Sequence, residues 1–395
     1  MERIGIFGGT FNPPHLGHIQ AARQALSALD LDRVLLVPTN ISPHKDLPPN
    51  SPTPQQRLRM LELAVQEEPR IQVSDMELNR EGVSYTWQTV AQLRQESPEA
   101  QLVLLMGTDM FLSFPSWRNP EIILENAELA VFYRGDKQEK ETVAKQKAAL
   151  EAQGARITLA ENQVIPISST QLRRLLAFRC ADEFLPQGVG AYIREHAFYD
   201  TAAQWKNLEE ETLEPVVVSL LKPSRVAHVL GCRDTAVALA RRYGADETDA
   251  ARAGLLHDIT KALDGPLQLT LCRDYGKMLD DFSRKYPKTL HALTGSLVAE
   301  RIFGENEAVV SAIRWHTTGR ANMSLLEKIV YVADYMEPNR DFPGVDRLRM
   351  LAYTDLDAAL KLGLEMTVVH VEGQGSAVSP ESRQALAWLN AHMKG

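Results

Sequence analysis

Apolar runs at residues 4–7, 34–37, 102–106 and 129–132 have the length of strands. They alternate with segments at residues 18–29, 55–66, 86–95 and 170–178, where apolar side chains return every three or four positions and predict helices. Strand and helix in turn predict an α/β unit with a mainly parallel sheet, running to about residue 200. Beyond it strand-like runs are scarce. Helical periodicity at residues 235–243, 292–302, 325–336 and 356–364 predicts an all-α bundle. Between the two textures, residues 200–214 are polar and acidic, with Glu209, Glu210 and Glu211 in succession, and read as a connector. The expected domains are therefore residues 1–200 and 208–395.

A length of 395 residues supports two cores rather than one. The net charge of -8 leaves no cationic excess with which to hold a polymeric nucleic acid or an anionic membrane. Small phosphorylated molecules need only a few placed cations and stay within reach. The charged run at residues 136–147 reads as a solvated helix face. Three widely spaced cysteines, Cys180, Cys232 and Cys272, do not form a disulfide framework or a thiolate zinc site. With no leader-like or membrane-length apolar run, the expected location is the cytoplasm, and a homo-oligomer is compatible with all of this.

Candidate chemistry starts at the end of the first strand. Gly8, Gly9 and Thr10 lie between a strand and a helix, an order that lets backbone amides and a helix N-terminus face phosphate. His15 and His18, three apart, can present two imidazoles to one phosphate chain. Further along, Ser168, Ser169 and Thr170 open a helix and Arg173 follows one turn later; Ser168 or Ser169 can equally be an N-cap. The whole stretch Gly8-Gly9-Thr10-Phe11-Asn12-Pro13-Pro14-His15-Leu16-Gly17-His18 resembles the signature of the nucleotidyltransferase superfamily, and residues 167–174 resemble its second motif. That resemblance implies a Rossmann-like fold and places His15 and His18 on the α-phosphate transition state. It assigns Gly8, Gly9, Thr10, Ser168, Thr170 and Arg173 to ATP, with Mg²⁺ on the leaving pyrophosphate. Pro43-His44-Lys45, Ser84-Tyr85-Thr86, Gly107-Thr108-Asp109 and Trp117 are similar to segments of the nicotinate mononucleotide adenylyltransferase family. By that likeness Lys45, Thr86 and Trp117 contact nicotinate mononucleotide, Trp117 by stacking, and Asp109 accepts from a ribose hydroxyl of ATP. Asn12 departs from the family, whose best-known motif has Asp.

In the helical half, His228, His257-Asp258, His291, His316 and Asp334 are nitrogen and oxygen donors set in helical patterns. Adjacent residues on a helix project about 100° apart, so His257 and Asp258 can bracket a metal. Their order resembles the HD superfamily of metal-dependent phosphohydrolases, and the contexts around residues 225–229, 256–261 and 315–320 resemble the bacterial YqeK family, which splits dinucleoside tetraphosphates symmetrically. The resemblance implies that all six residues bind two transition metals, iron, manganese or zinc, with Asp258 shared and catalytic. Lys261, Arg320 and Arg340 are candidate phosphate clamps, or else surface ion-pair partners. The expected partners are ATP, nicotinate mononucleotide and diadenosine tetraphosphate. The competing expectation is an adenylyltransferase for another phosphorylated acceptor, such as pantetheine phosphate or a flavin nucleotide, joined to an HD module that senses a nucleotide without hydrolysing it.

Overall fold

The computed structural model describes the chain apart from residues 44–45, 134–136, 162–164, 166 and 394–395. It divides into two compact units, Met1–Ala202 and Ala203–Gly395.

In the first unit, β1 (Arg3–Gly9), α1 (Leu16–Ala28), β2 (Arg33–Pro38), α2 (Pro54–Ala64), β3 (Ile71–Val73), α3 (Thr86–Glu96) and β4 (Gln101–Gly107) are followed by α4 (Thr108–Ser113), α5 (Pro120–Asn126), β5 (Ala127–Tyr133), α6 (Lys137–Glu151), β6 (Ile157–Glu161), α7 (Ser169–Ala177) and α8 (Val189–Glu195). The six strands pair in the order β3-β2-β1-β4-β5-β6, every pairing parallel. Both β2 and β4 are almost continuously apolar, as central parallel strands covered on both faces require. Ile4, Ile6, Leu35, Val37, Leu102 and Leu104 share one core with Phe111 and Phe114. The order reverses between β1 and β4, so the loops leaving those strands border a crevice at the carboxyl edge. Two strands escaped the periodicity: β3 has 3 residues, and β6 is an edge strand with only Ile157 fully covered.

Among the described residues the second unit contains only helices: α9 (Glu210–Leu220), α10 (Pro223–Tyr243), α11 (Glu247–Leu256), α12 (Gly265–Asp274), α13 (Asp281–Lys285), α14 (Leu290–Val298), α15 (Glu307–Trp315), α16 (Leu325–Met336), α17 (Val345–Ala352), α18 (Leu356–Gly373) and α19 (Pro380–His392). Its centre is built from α10, α11, α15 and α16 packed on one another. A Cβ on Gly254 of α11 would lie 2.6 Å from the Arg233 Cα of α10, so this glycine sets how closely those two helices cross. Of the segment expected to be a connector, residues 203–214 are instead part of this unit. The Trp205 ring stacks on Phe303 at 5.7 Å, Arg252 donates to the Leu208 carbonyl at 2.7 Å, and Leu213 is fully buried. Glu210 and Glu211 form the first turn of α9, where carboxylates complement the helix dipole. Among the described residues no helix is long and apolar enough to cross a membrane.

Candidate functional sites

Gly8 and Gly9 end β1, and Gly107 ends β4, so the glycine loop and the Thr108-Asp109 turn leave neighbouring strands at the same edge. His15 is the N-cap of α1 and His18 lies in its first turn. The His15 backbone N–H donates to His18 Nδ1 at 3.1 Å, and the two rings stack at 3.6 Å. Burial pushes the His15 imidazole down to about 4, and burial with the neighbouring His15 pushes His18 well below its usual value. Both are therefore neutral at pH 7. Gly17 makes the stack possible, since a Cβ there would sit 2.9 Å from His15 Nδ1 and 3.2 Å from the Ile165 carbonyl.

The two distant motifs meet. Arg173 Nη1 donates to the Asn12 carbonyl at 2.6 Å and Nη2 to Thr170 Oγ1 at 3.2 Å, while Ser169 Oγ donates to the Pro13 carbonyl at 3.0 Å. Ser168 Oγ accepts from the Gln171 N–H at 3.2 Å, the N-cap geometry. Under the loop lies Arg57, fully buried, donating to the carbonyls of Thr10 at 2.7 Å and Thr39 at 2.6 Å. Among the described residues Arg57 and Arg173 thus bond only to uncharged oxygens and leave positive charge beneath the glycine loop. Asn12 is buried, accepts from Tyr199 OH at 2.7 Å and donates to Ser51 Oγ at 3.1 Å. An amide supplies both roles, which explains why a carboxylate is not needed at this position. Asp109 is exposed, and Thr86 opens α3. Trp117 is half-buried against the core with Nε1 donating to Ser113 Oγ at 3.3 Å, and the Arg118 guanidinium lies 4.9 Å from the Tyr85 ring centre, drawing the Trp117 and Thr86 segments together. Lys45 lies outside the described residues.

In the second unit the six candidate ligands converge. His228 (α10), His257 (the C-cap of α11) and Asp334 (α16) form one cluster, and His257, Asp258 and His316 a second, with the donor atoms of each within 4.8 Å. Asp258 Oδ1 lies 3.4 Å from His291 Nε2 and 3.8 Å from His316 Nε2; its Oδ2 lies 3.6 Å from His228 Nε2 and 3.7 Å from His257 Nε2. Its carboxylate therefore stands between all four imidazoles. Nδ1 donates to the Gly254 carbonyl from His257 at 2.7 Å, to Lys288 from His291 at 3.0 Å and to Ile313 from His316 at 2.7 Å. Those bonds fix the proton on Nδ1 and leave each Nε2 as a donor atom. Burial lowers His257, His291 to about 3 and His316 to about 4. His228 is the exception: burial opposes its charge, but Asp334 and Glu337 raise its pKa. Carboxylates that favour a proton at that point favour a metal ion in its place. This donor set fits divalent transition metals.

Three cations reach the centre: Lys261 Nζ is 2.9 Å from His291 Nε2, Arg340 Nη2 donates to Asp334 Oδ1 at 2.7 Å, and Arg225 bonds Asp258 Oδ2. Arg320 is engaged elsewhere, its Nε and Nη2 bonded to the buried carboxylate of Glu327 at 3.0–3.1 Å. Sequence reasoning gave no role to Gly17, Arg225 or Thr317, although all three stand inside the motif segments it singled out, and it passed over Arg57, Tyr199 and Glu337. Of the residues passed over, Glu337 carried a readable signal, lying three residues after Asp334. Thr317 Oγ1 sits 3.2 Å from His291 Nε2 and 3.1 Å from His316 Nε2.

Fold and sites define a nucleotidyltransferase-type α/β unit joined to an HD-type metal-dependent hydrolase unit. The Cytidylyltransferase-like family matches residues 6–175, and the HD domain family matches residues 225–339. A protein of Neisseria meningitidis serogroup B named "Probable nicotinate-nucleotide adenylyltransferase" is 36% identical over 51% of this chain and 100% of its own length. A "Bis(5'-nucleosyl)-tetraphosphatase, symmetrical" of Bacillus subtilis is 39% identical over 46% of this chain and 96% of its own, and one of Halalkalibacterium halodurans is 41% identical over 42% and 90%. The chain belongs to the nicotinate-nucleotide adenylyltransferase family through its first half and to the symmetrical bis(5'-nucleosyl)-tetraphosphatase family through its second, both families of enzymes.

Proposed function

We propose that the first unit transfers the adenylyl group of ATP to nicotinate mononucleotide, giving deamido-NAD and pyrophosphate. The observation that carries this reading is the bonding of Arg173 and Ser169 to the Asn12-Pro13 loop, which joins two motifs 161 residues apart into one phosphate-facing surface. A phosphate oxygen of the acceptor attacks the α-phosphorus of ATP in line, and the bond to the β-phosphate oxygen breaks. His15 and His18 act as neutral N–H donors to the oxygens that gain charge, while Gly8, Gly9, Thr10, Ser168, Thr170 and Arg173 hold the triphosphate. Neutralising the pyrophosphate is the chemistry Mg²⁺ supplies when bound. Asp109 accepts from the ATP ribose, and Lys45, Thr86 and Trp117 receive the nicotinate nucleotide.

The second unit, in the same reading, hydrolyses diadenosine tetraphosphate to two ADP in the cytoplasm. What supports it is the placement of the Asp258 carboxylate among four buried imidazoles. His228, His257, Asp258, His291, His316 and Asp334 would hold iron, manganese or zinc, whose contribution is Lewis-acid activation of water and phosphate. Lys261, Arg340 and Arg225 offer hydrogen-bond donors to phosphates on either side. The full-length protein, incubated separately with each substrate pair, tests both halves. Deamido-NAD with pyrophosphate, and ADP as the sole tetraphosphate product, are expected; ATP with AMP, or hydrolysis that persists in excess chelator, overturns the second assignment.

A further inference from the structure

Resting on that metal reading, we infer that Glu337 is a positioning residue for His228, and that it makes the cluster His228, His257 and Asp334 the tighter of the two metal positions. The four imidazoles of the centre are not supported alike. Those of His257, His291 and His316 each donate Nδ1–H to a neutral carbonyl three residues back in their own turn. His228 alone donates to a carboxylate, with Nδ1 3.0 Å from Glu337 Oε1.

The surroundings are built around that carboxylate. Glu337 is 1% exposed. Its Oε2 accepts from the Asn339 backbone N–H at 2.7 Å and from Asn339 Nδ2 at 2.8 Å. The same Nδ2 reaches the Ala227 carbonyl at 3.0 Å, next to His228 on α10. Gly231, one turn along α10 from His228, leaves the space: a Cβ there would fall 2.4 Å from Glu337 Oε2 and 3.0 Å from Asn339 Nδ2. Arg349 fixes the backbone behind it, donating to the Met336 carbonyl at 3.0 Å and the Glu337 carbonyl at 3.1 Å. Glu337 also follows Asp334 by one helical turn, so one turn supplies this cluster with a carboxylate ligand and the carboxylate behind its histidine.

An anionic acceptor on Nδ1–H increases the donor strength of Nε2 more than a neutral carbonyl does, and it locks the tautomer in which Nε2 is free. The second cluster has no such support at His316. Unequal affinities follow from that difference in the layer behind the ligands.

Glu337→Gln separates the charge from the shape. A glutamine keeps the volume, yet its amide must turn NH₂ either toward the two N–H groups of Asn339 or toward His228 Nδ1, and in the second case His228 loses the tautomer that frees Nε2. The measurement is a competition titration of metal-stripped full-length protein with Zn²⁺ against a chromophoric chelator, read as two binding steps. Wild type is expected to show two unequal steps. Glu337→Gln should weaken the tighter one by about 10-fold to 100-fold and leave the weaker one in place, whereas His316→Ala should remove the weaker one. If Glu337→Gln loses helical circular dichroism, Asn339→Ala decides, because it keeps the backbone N–H on Oε2 and removes one side-chain donor; a severalfold weakening of the tighter step is expected. Both steps unchanged in the folded variant, or loss of the weaker step instead, overturns the role of Glu337. Wild type that takes up no Zn²⁺ overturns the metal reading beneath it.

Discussion

Gly17→Ala should slow adenylyl transfer without unfolding the protein. Gly17 is the second residue of α1, where alanine is intrinsically the better helix former by up to about 1 kcal/mol. On helix propensity alone the variant would be neutral or stabilised. The new Cβ, however, would lie 2.9 Å from His15 Nδ1, 3.1 Å from His15 Cε1 and 3.2 Å from the Ile165 carbonyl oxygen. Ordinary contact requires the ring to retreat by roughly 0.5 Å. His15 has little room for that, being 4% exposed and stacked on His18 at 3.6 Å. Any relief therefore passes through the two imidazoles that the proposed function sets on the reacting phosphate. Misplacement by about 1 Å can cost on the order of 10²-fold in rate, so half that displacement corresponds to roughly a tenfold loss of kcat. Pyrophosphate release at saturating ATP and nicotinate mononucleotide measures it. The urea transition of the first unit, followed on the same preparation, reports whether that unit is intact. A variant with wild-type kcat refutes the argument, and a first-unit urea midpoint lowered in step with the activity would mean unfolding rather than displacement.

Tyr199→Phe leaves the buried Asn12 Oδ1 without its 2.7 Å donor and should cost about 1–2 kcal/mol in the urea transition of the first unit; an unchanged midpoint contradicts the network. His15 titrates near 4 when folded, because burial disfavours its charged form, against an ordinary value of 6.5. Between those values the unfolded chain binds the extra proton, so stability is present above about 6.5 and is lost as pH falls toward 4. Relative to wild type, His15→Gln should flatten that fall by up to about 3 kcal/mol in unfolding curves taken across the window. Arg320→Met strips the partner from Glu327, which is 1% exposed while the arginine is 39% exposed. It should lower stability by about 2 kcal/mol, the buried carboxylate being only partly rescued by solvent, and leave the KM for tetraphosphate nearly unchanged; a raised KM with an unaltered melting temperature would restore Arg320 as a phosphate clamp.

The parts of the fold that could be read from the sequence are those where one local signal suffices. The central strands β2 and β4 are apolar on both faces and bounded by polar turns, and α16 shows its apolar stripe together with the Ser324 and Glu327 capping box. α10 was legible only in its second half, because Gly231, Arg233 and Asp234 interrupt the apolar repeat, although Gly231 is bare to admit Glu337. α18 runs to Gly373, past the predicted end, since its last turns are open to solvent and Val369 is 70% exposed. Candidate ligands were legible by residue type and order. Their supports were not: Arg57 meets Thr10 and Tyr199 meets Asn12 across 47 and 187 residues. Long-range pairing of ordinary residue types leaves no periodicity behind it.

Charge distinguishes how the two sites attract phosphate in a chain whose formal net charge is -8. In the first, the positive charge is resident. His15 and His18 are neutral, Asn12 adds no anion, and among the described residues Arg57 and Arg173 bond only to carbonyl and hydroxyl oxygens. Their field is left for an anionic ligand. In the second, Arg225 bonds Asp258 and Arg340 bonds Asp334, while Lys261 lies against His291 and Glu337 against His228, so three carboxylates are matched in number by three cations. Burial keeps His257, His291 and His316 neutral. Divalent ions held there would give the centre its net positive charge. On the proposed function, affinity for a tetraphosphate should then follow metal content in the second unit, whereas ATP affinity in the first should depend on two arginines built into the fold.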